Sequence, residues 1–136
     1  MTDLQIRPFN LREANWRHDR SVLSDIRRIV FIVEQSVPKE EEWDGLDDDS
    51  WHWMASDESD HASGTARLLP TGQIGRMAVL REFRGLKVGQ AMLEAAVEKA
   101  RQLGFSSVFL NAQSHALNFY QKAGFVAEGE EFMEAG

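Results

Sequence analysis

The sequence predicts an α+β fold: a mixed, mostly antiparallel central sheet flanked by helices, with one parallel strand–helix–strand crossover. Three observations lead to it. Apolar residues fall in three closely spaced strand-like segments between Trp51 and Leu80, with turn signals at Ser59-Asp60 and Thr71-Gly72. Helical periodicity brackets those strands, over 21–35 before them and 88–103 after them. A further strand follows the second helix, and two strands joined through one helix are parallel neighbours.

Leu4 and Ile6 alternate with polar residues and make a short first strand ending at Pro8. Val22, Ile26, Ile29, Val30 and Val33 recur at helical spacing, and Ser21 can cap them, so 21–35 is an amphipathic helix. Pro38 and a run of acids end it and open a loop of roughly a dozen residues, long enough to imply a binding role. Strands follow at 51–56, 62–69 and 73–80. The helix at 88–103 carries its stripe on Met92, Leu93, Ala96, Val97 and Ala100 and stops at Gly104. A strand at 106–112, a short helix at 114–122 and a last strand at 125–132 complete the order. There is no repeat, linker or second domain, which predicts a single domain over 1–136.

The 136 residues, 43% hydrophobic and 27% charged, suit a globular domain that buries roughly two-thirds of its unfolded surface, so a core forms without staples. The chain has no cysteine, which excludes disulfides, thiolate catalysis and Cys-based zinc sites and fits a cytoplasmic protein. Residues 1–8 lack an apolar signal core, and the longest apolar run, 29–33, falls far short of the ~20 residues that span a bilayer. No membrane role is expected. The net charge of −7 comes almost wholly from Glu40, Glu41, Glu42, Asp44, Asp47, Asp48 and Asp49, since the rest holds 15 acids against 15 bases. Such a chain has little attraction for nucleic acid.

The stretch from Gln73 through Gly89 into the second helix is a strand, a turn rich in Arg, Lys and Gly, and a helix start. A helix N-terminus leaves about four N–H groups unpaired and carries roughly half a positive charge. Gly85 and Gly89 let backbone approach closely, and Arg84 and Lys87 bring charge, so the turn is suited to a phosphate or pyrophosphate. The bland alternative is a surface turn with two solvated cations.

The downstream half resembles the GNAT superfamily of acetyl-CoA-dependent N-acetyltransferases. That family's pyrophosphate loop, Arg/Gln-x-x-Gly-x-Gly/Ala, corresponds to Arg84, Gly85, Leu86, Lys87, Val88 and Gly89. A second family segment, Asn-x-x-Ala-x-x-Leu/Phe-Tyr-x-Lys-x-Gly-Phe, corresponds to 113–125, with Ala116, Phe119, Tyr120, Lys122, Gly124 and Phe125 in place and Gln113 at the Asn position. Residues 28–38 are similar to the ElaA-like branch. Two positions depart from the pattern. Lys87 replaces a glycine, a steric cost if φ is positive there, and Gln113 replaces an Asn that reaches the pantetheine arm.

The resemblance implies acetyl-CoA as co-substrate, no metal, and a sheet whose strands splay around the cofactor. It also implies cofactor contacts from Met77, Ala78 and Val79 on a bulged strand, from Arg84 through Gln90 in the loop, and from Gln113, Asn118 and Tyr120. The family's further strand after the last one here would be missing, shortened or supplied by a neighbouring chain, as in a homodimer.

Acetyl transfer to an amine needs a neutral amine, a stabilised carbonyl oxygen and a proton for the departing thiolate. Amides of the bulged strand serve the second need. Tyr120, the only tyrosine, stands at the family's proton-donor position; its alternative is plain aromatic packing. The base stays open, because 73–80 holds Arg76 and no acid. Glu34 and His52 are the leading candidates, with Glu42, Asp44 or solvent behind them. The acidic loop beside Trp43, Trp51 and Trp53 suits a cationic acceptor, whether a small amine, a peptide or a protein amine; its alternative is a solvated charge run. Serine-hydrolase, P-loop and zinc-protease motifs are all absent. The rival function is a non-catalytic acyl-CoA-binding sensor that keeps the fold without the base.

Overall fold

The computed structural model describes residues 9–37, 44–111 and 117–126. Four strands form an antiparallel sheet in chain order: β1 (Asn10–Ala14), β2 (Trp51–Ser56), β3 (Ala62–Leu68) and β4 (Ile74–Val79). Helix α1 (Trp16–Arg27) passes directly into a π-helical segment, Arg28–Glu34. Helix α2 spans Val88–Gln102 and α3 spans Leu117–Lys122. The α+β class and the two central hairpins follow the sequence expectation. The expected strand at Leu4 and Ile6 lies outside the described residues, as does most of the one at 125–132, of which Phe125 and Val126 are described and are not strand.

The start of the chain differs from its reading. Helix α1 begins at Trp16, five residues before Ser21, because Asn15 is the cap: its Oδ1 accepts the N–H groups of Arg17 at 2.9 Å and His18 at 3.4 Å. Asp19 answers by accepting the Asn15 N–H at 2.9 Å, and its pairing with Arg12 at 2.8 Å ties the helix to β1. The first turns are polar and hide the period. Strand β1 was equally hidden, since Arg12 and Glu13 are exposed and only one side meets the core.

Each face of the sheet receives one helical layer. Trp53, Ala55, Ala66, Leu68 and Ile74 face α2, meeting Met92, Leu93 and Ala96 in two buried clusters. Each such large apolar side chain contributes about 1.5–3 kcal/mol when fully buried. Gly64 lets α2 come close, for a Cβ there would lie 3.2 Å from Val88 Cγ1 and 3.2 Å from Met92 Cε. On the other face Ile26 and Val30 pack against Ala78.

The crossover through α2 is parallel, as its connection requires. Gln73 and Phe109 form a parallel bridge, with Ile74 donating to the Phe109 carbonyl at 2.8 Å. The strand expected at 106–112 is a correction: among the described residues it is this single bridge. The reason is local to β4. Thr65 pairs with Ala78 but Arg67 pairs with Gly75, so Arg76 and Met77 both oppose Ala66. A bulge bends its strand and increases its twist, which turns β4 away from a long parallel ladder.

Lys87 has φ 66°, a left-handed conformation that carries a steric cost of about 1–3 kcal/mol for a residue with a Cβ. Lys87→Gly should therefore raise the stability of the ligand-free protein by about 1 kcal/mol, after glycine's own entropy of ~0.5–1 kcal/mol is deducted. A thermal melt checks this, and an unchanged or lower Tm would show that Lys87 bears no strain.

Candidate active site

Three elements converge where β4 ends. The bulge places Met77 beside the start of α2: a Cβ on Gly89 would sit 3.9 Å from Met77 Cε and 3.7 Å from Phe119 Cζ on α3. Phe119 in turn meets the Tyr120 ring edge-on at 5.0 Å, and Tyr120 meets Phe125 at 6.2 Å. The bulged strand, the helix start and the tyrosine-bearing helix, distant in sequence, thus share one neighbourhood. Arg76 takes up the bulge with φ 48°, an uncommon conformation for a non-glycine residue.

Between β4 and α2 the chain makes one 3₁₀ turn, Arg81–Phe83, and then the loop. Gly85 has φ 87° and open space around it. Lys87 is the N-cap of α2 and is exposed, and among the described residues no side chain caps the helix start. An uncapped N-terminus with an exposed ammonium beside it fits the pyrophosphate of a CoA donor. Leu86 and Gln90 are exposed at the same place, with Gln90 Nε2 bonded to Glu94 at 3.2 Å, while the Val88 side chain is buried as the anchor of the helix. Ala78 turns its side chain to the opposite face, and Val79 offers its carbonyl outward to Arg84. Asn118 is exposed on α3; Gln113 lies outside the described residues.

Arg84 does not lie open over the loop. Its Nε donates to the Val79 carbonyl at 2.9 Å and its Nη2 to Glu34 Oε2 at 2.8 Å. Glu34 ends the π-helical segment, whose wide turns are closed by Gln35 N–H to Val30 C=O at 3.1 Å and Val37 N–H to Phe31 C=O at 2.8 Å. π-Helical turns are rare and recur at functional sites. Here one delivers a carboxylate to the end of β4.

His52 is placed elsewhere. It is 1% exposed, its Nε2 sits 2.9 Å from the Asp47 carbonyl, and its ring stacks on Trp16 at 4.8 Å. Burial pushes its pKa below the usual imidazole value, opposed by the Asp47 carbonyl and charge. The ring packs between sheet and α1, without the solvent access that a base acting on an incoming amine requires.

The acidic loop also differs from its reading as an open electronegative rim. Asp47 Oδ1 accepts from Arg27 at 2.7 Å and from Arg67 at 3.0 Å, and all three side chains are at least nine-tenths buried. Asp44 takes Arg67 at 2.8 Å and Arg76 at 3.1 Å, so the network spans α1, β3 and the bulge of β4. Trp53 is core, Trp51 is half-buried against Phe105, and Trp43 and Glu42 lie outside the described residues. A signal for this existed in the sequence. Arg27 stands in the apolar stripe with Leu23, Ile26 and Val30, and Arg67 stands between buried neighbours on β3. Buried guanidiniums call for carboxylates.

Burial opposes ionisation of Asp44, but its bonds from Arg67 and the Leu46 N–H, with the charges of Arg67 and Arg76, outweigh that and bring its pKa from 3.8 to about 2. A depressed carboxylate pKa stabilises the fold above the unfolded value, and that contribution is lost as pH falls. Stability tied to Asp44 should thus be complete above pH 3.8 and disappear toward pH 2. In acid unfolding followed by tryptophan fluorescence, Asp44→Asn should flatten the curve in that window; an unchanged slope would contradict the network.

A bulged fourth strand, a glycine-bearing loop at a helix start and a tyrosine helix beside them define an acyltransferase. The chain belongs to the acetyltransferase (GNAT) family, whose domain matches residues 24–136. Within it, the chain falls in the ElaA-like branch. ElaA of Escherichia coli is 34% identical over 122 residues, spanning 84% of this chain and 79% of ElaA. The crystal structure of E. coli ElaA superposes with a TM-score of 0.83 at 30% identity, covering 94% of each chain. The uncharacterized N-acetyltransferase YjcF of Bacillus subtilis is 38% identical over 114 residues, 82% of this chain and 81% of YjcF. An acyl-CoA N-acyltransferase from Pseudomonas aeruginosa superposes with a TM-score of 0.80 at 31% identity, over 93% of this chain and 94% of that one. No helix among the described residues is long and apolar enough to cross a membrane.

Proposed function

We propose that this protein is a cytoplasmic N-acetyltransferase that moves an acetyl group from acetyl-CoA to a primary amine by direct attack. The observation that carries the reading is the meeting of Met77, Gly89 and Phe119 beside the Tyr120 ring, with Glu34 held at the end of the same strand. When bound, acetyl-CoA supplies a thioester whose C–S bond breaks as the acceptor's N–C bond forms. The backbone of the loop from Gly85 to Gln90 and the Lys87 ammonium hold its pyrophosphate, Asn118 contacts the donor from α3, and the family resemblance assigns Gln113 to the pantetheine arm. Backbone N–H groups of Met77 to Val79 stabilise the carbonyl oxygen. Glu34 takes the proton from the amine, and Tyr120 gives one to the departing sulfur. Glu34 is preferred to His52 because its carboxylate is part-exposed beside Val79, whereas the imidazole is enclosed.

Three arginines offset the charge of Asp44 and Asp47, so among the described residues of the loop any preference for a cationic acceptor falls to the exposed Asp48 and Asp49. The test mixes the protein and acetyl-CoA with a panel of cationic and neutral primary amines and follows free thiol. Amine-dependent thiol release is expected. Donor binding by calorimetry without any such release would favour the sensor, and absence of donor binding would overturn both.

A further inference from the structure

We infer that Arg84 is a positioning residue for Glu34 and not an anchor for the donor's pyrophosphate, an assignment that rests on the acetyl-transfer reading above. The family motif draws attention to Arg84 as a cation of the phosphate loop, yet its guanidinium points back toward the sheet. Its Nε bonds the last carbonyl of β4, at Val79, and its Nη2 bonds Glu34 Oε2 at 2.8 Å. A planar fork held at two points on two different elements has a fixed orientation, which an ammonium or a single bond would not give. Reaching a phosphate over the loop would require breaking a charge-assisted bond and releasing a partly buried carboxylate.

What the fork holds is a carboxylate at the end of β4. The Glu34 side chain is 18% exposed and Arg84 is 44% exposed, so the pair sits at the surface edge of the site, open to an incoming amine. Arg84 engages Oε2, and among the described residues Oε1 has no hydrogen-bond partner, which leaves it able to accept a proton. The π-helical segment fixes the backbone of Glu34 through Val30, which packs on Ala78, the neighbour of Val79 in β4. Carboxylate, carbonyl and bulged strand therefore form one rigid unit with Arg84 as its tie. Lys87 is placed differently: it is exposed, it caps the start of α2, and among the described residues it makes no ion pair. The loop thus divides its labour, with Lys87 and backbone amides for the phosphates and Arg84 for the base.

The experiment measures CoA affinity by calorimetry, and kcat and KM with the best amine, for Arg84→Ala, Arg84→Lys, Lys87→Ala, Glu34→Gln and the double variant Arg84→Ala/Glu34→Gln. Arg84→Ala should leave CoA Kd within about twofold and lower kcat by about tenfold to a hundredfold, the cost of a misplaced catalytic group. Lys87→Ala should do the reverse, weakening CoA about tenfold with kcat retained. Adding Arg84→Ala to Glu34→Gln should cost nothing more, because both remove one function. Arg84→Lys should recover part of the rate, and it stands in for Arg84→Ala should that variant fold poorly. A tenfold loss of CoA affinity in Arg84→Ala with kcat unchanged would overturn the assignment, as would additive losses in the double variant. A wild type that binds CoA and acetylates nothing would instead overturn the transfer reading itself, and the positioning role with it.

Discussion

Tyr120→Phe is expected to keep the fold and CoA binding while kcat falls by ~10²–10⁴, the usual worth of a general acid. The substitution removes one hydroxyl and preserves the ring, whose edge-on contacts to Phe119 and Phe125 are what the aromatic cluster of α3 needs. A phenol, with an ordinary pKa of ~10, is well matched to a departing alkyl thiolate, so the proton moves nearly level in energy. Two further signs should accompany the loss. The basic limb of the pH–rate profile should change, since the group that must stay protonated is gone. A donor thioester with a better leaving group should regain part of the rate, because it needs less help. Full activity in the Phe variant would reduce Tyr120 to packing. Lost CoA affinity would assign the hydroxyl to the donor instead.

Asp47→Ala should cost about 3–5 kcal/mol of stability, the scale for removing one partner of a buried ion pair. Its carboxylate lies between Arg27, 1% exposed, and Arg67, 5% exposed. Without it, Arg27 and Arg67 lose a shared carboxylate that compensates their desolvation, while Arg67 keeps its pairing with Asp44 and His52 keeps the Asp47 backbone carbonyl. For a chain of 136 residues the Tm should fall by roughly 10–20 °C. Asp48→Ala is the control: that side chain is exposed and its loss should stay within about 0.5 kcal/mol. Equal melting of the two variants would return the whole loop to a solvated charge run. The contrast also separates stability from specificity, for among the described residues of the loop Asp48 and Asp49 are the exposed acids outside the arginine network.

Much of this protein was determined by its sequence alone. The hairpins β2–β3 and β3–β4, the extent of α2 and the loop at its helix start are all local matters. Alternation, helical period and turn chemistry depend on neighbours within a few residues, and those interactions are written in the order of the chain. Family resemblance then attached a chemistry to 84–89 and to Tyr120. The polar edges were less legible. Strand β1 and the first turns of α1 carry Arg12, Glu13, Arg17 and Asp19, whose charges mask periodicity, and only Asn15 marks the helix start.

Tertiary structure alone decided who meets whom. Glu34 and Arg84 stand 50 residues apart, and Asp44 and Arg76 stand 32 apart. Nothing in either neighbourhood names the other, because an ion pair is specified by where two elements pack and not by spacing along the chain. The same cause explains the acidic loop. A carboxylate in such a run is solvated wherever water is its only partner, and Asp44 and Asp47 become a clasp where folding brings arginines from α1, β3 and β4 beside them. The left-handed Arg76 in the bulge belongs to the same class, held in a costly backbone conformation by a sheet register that only the folded neighbours impose.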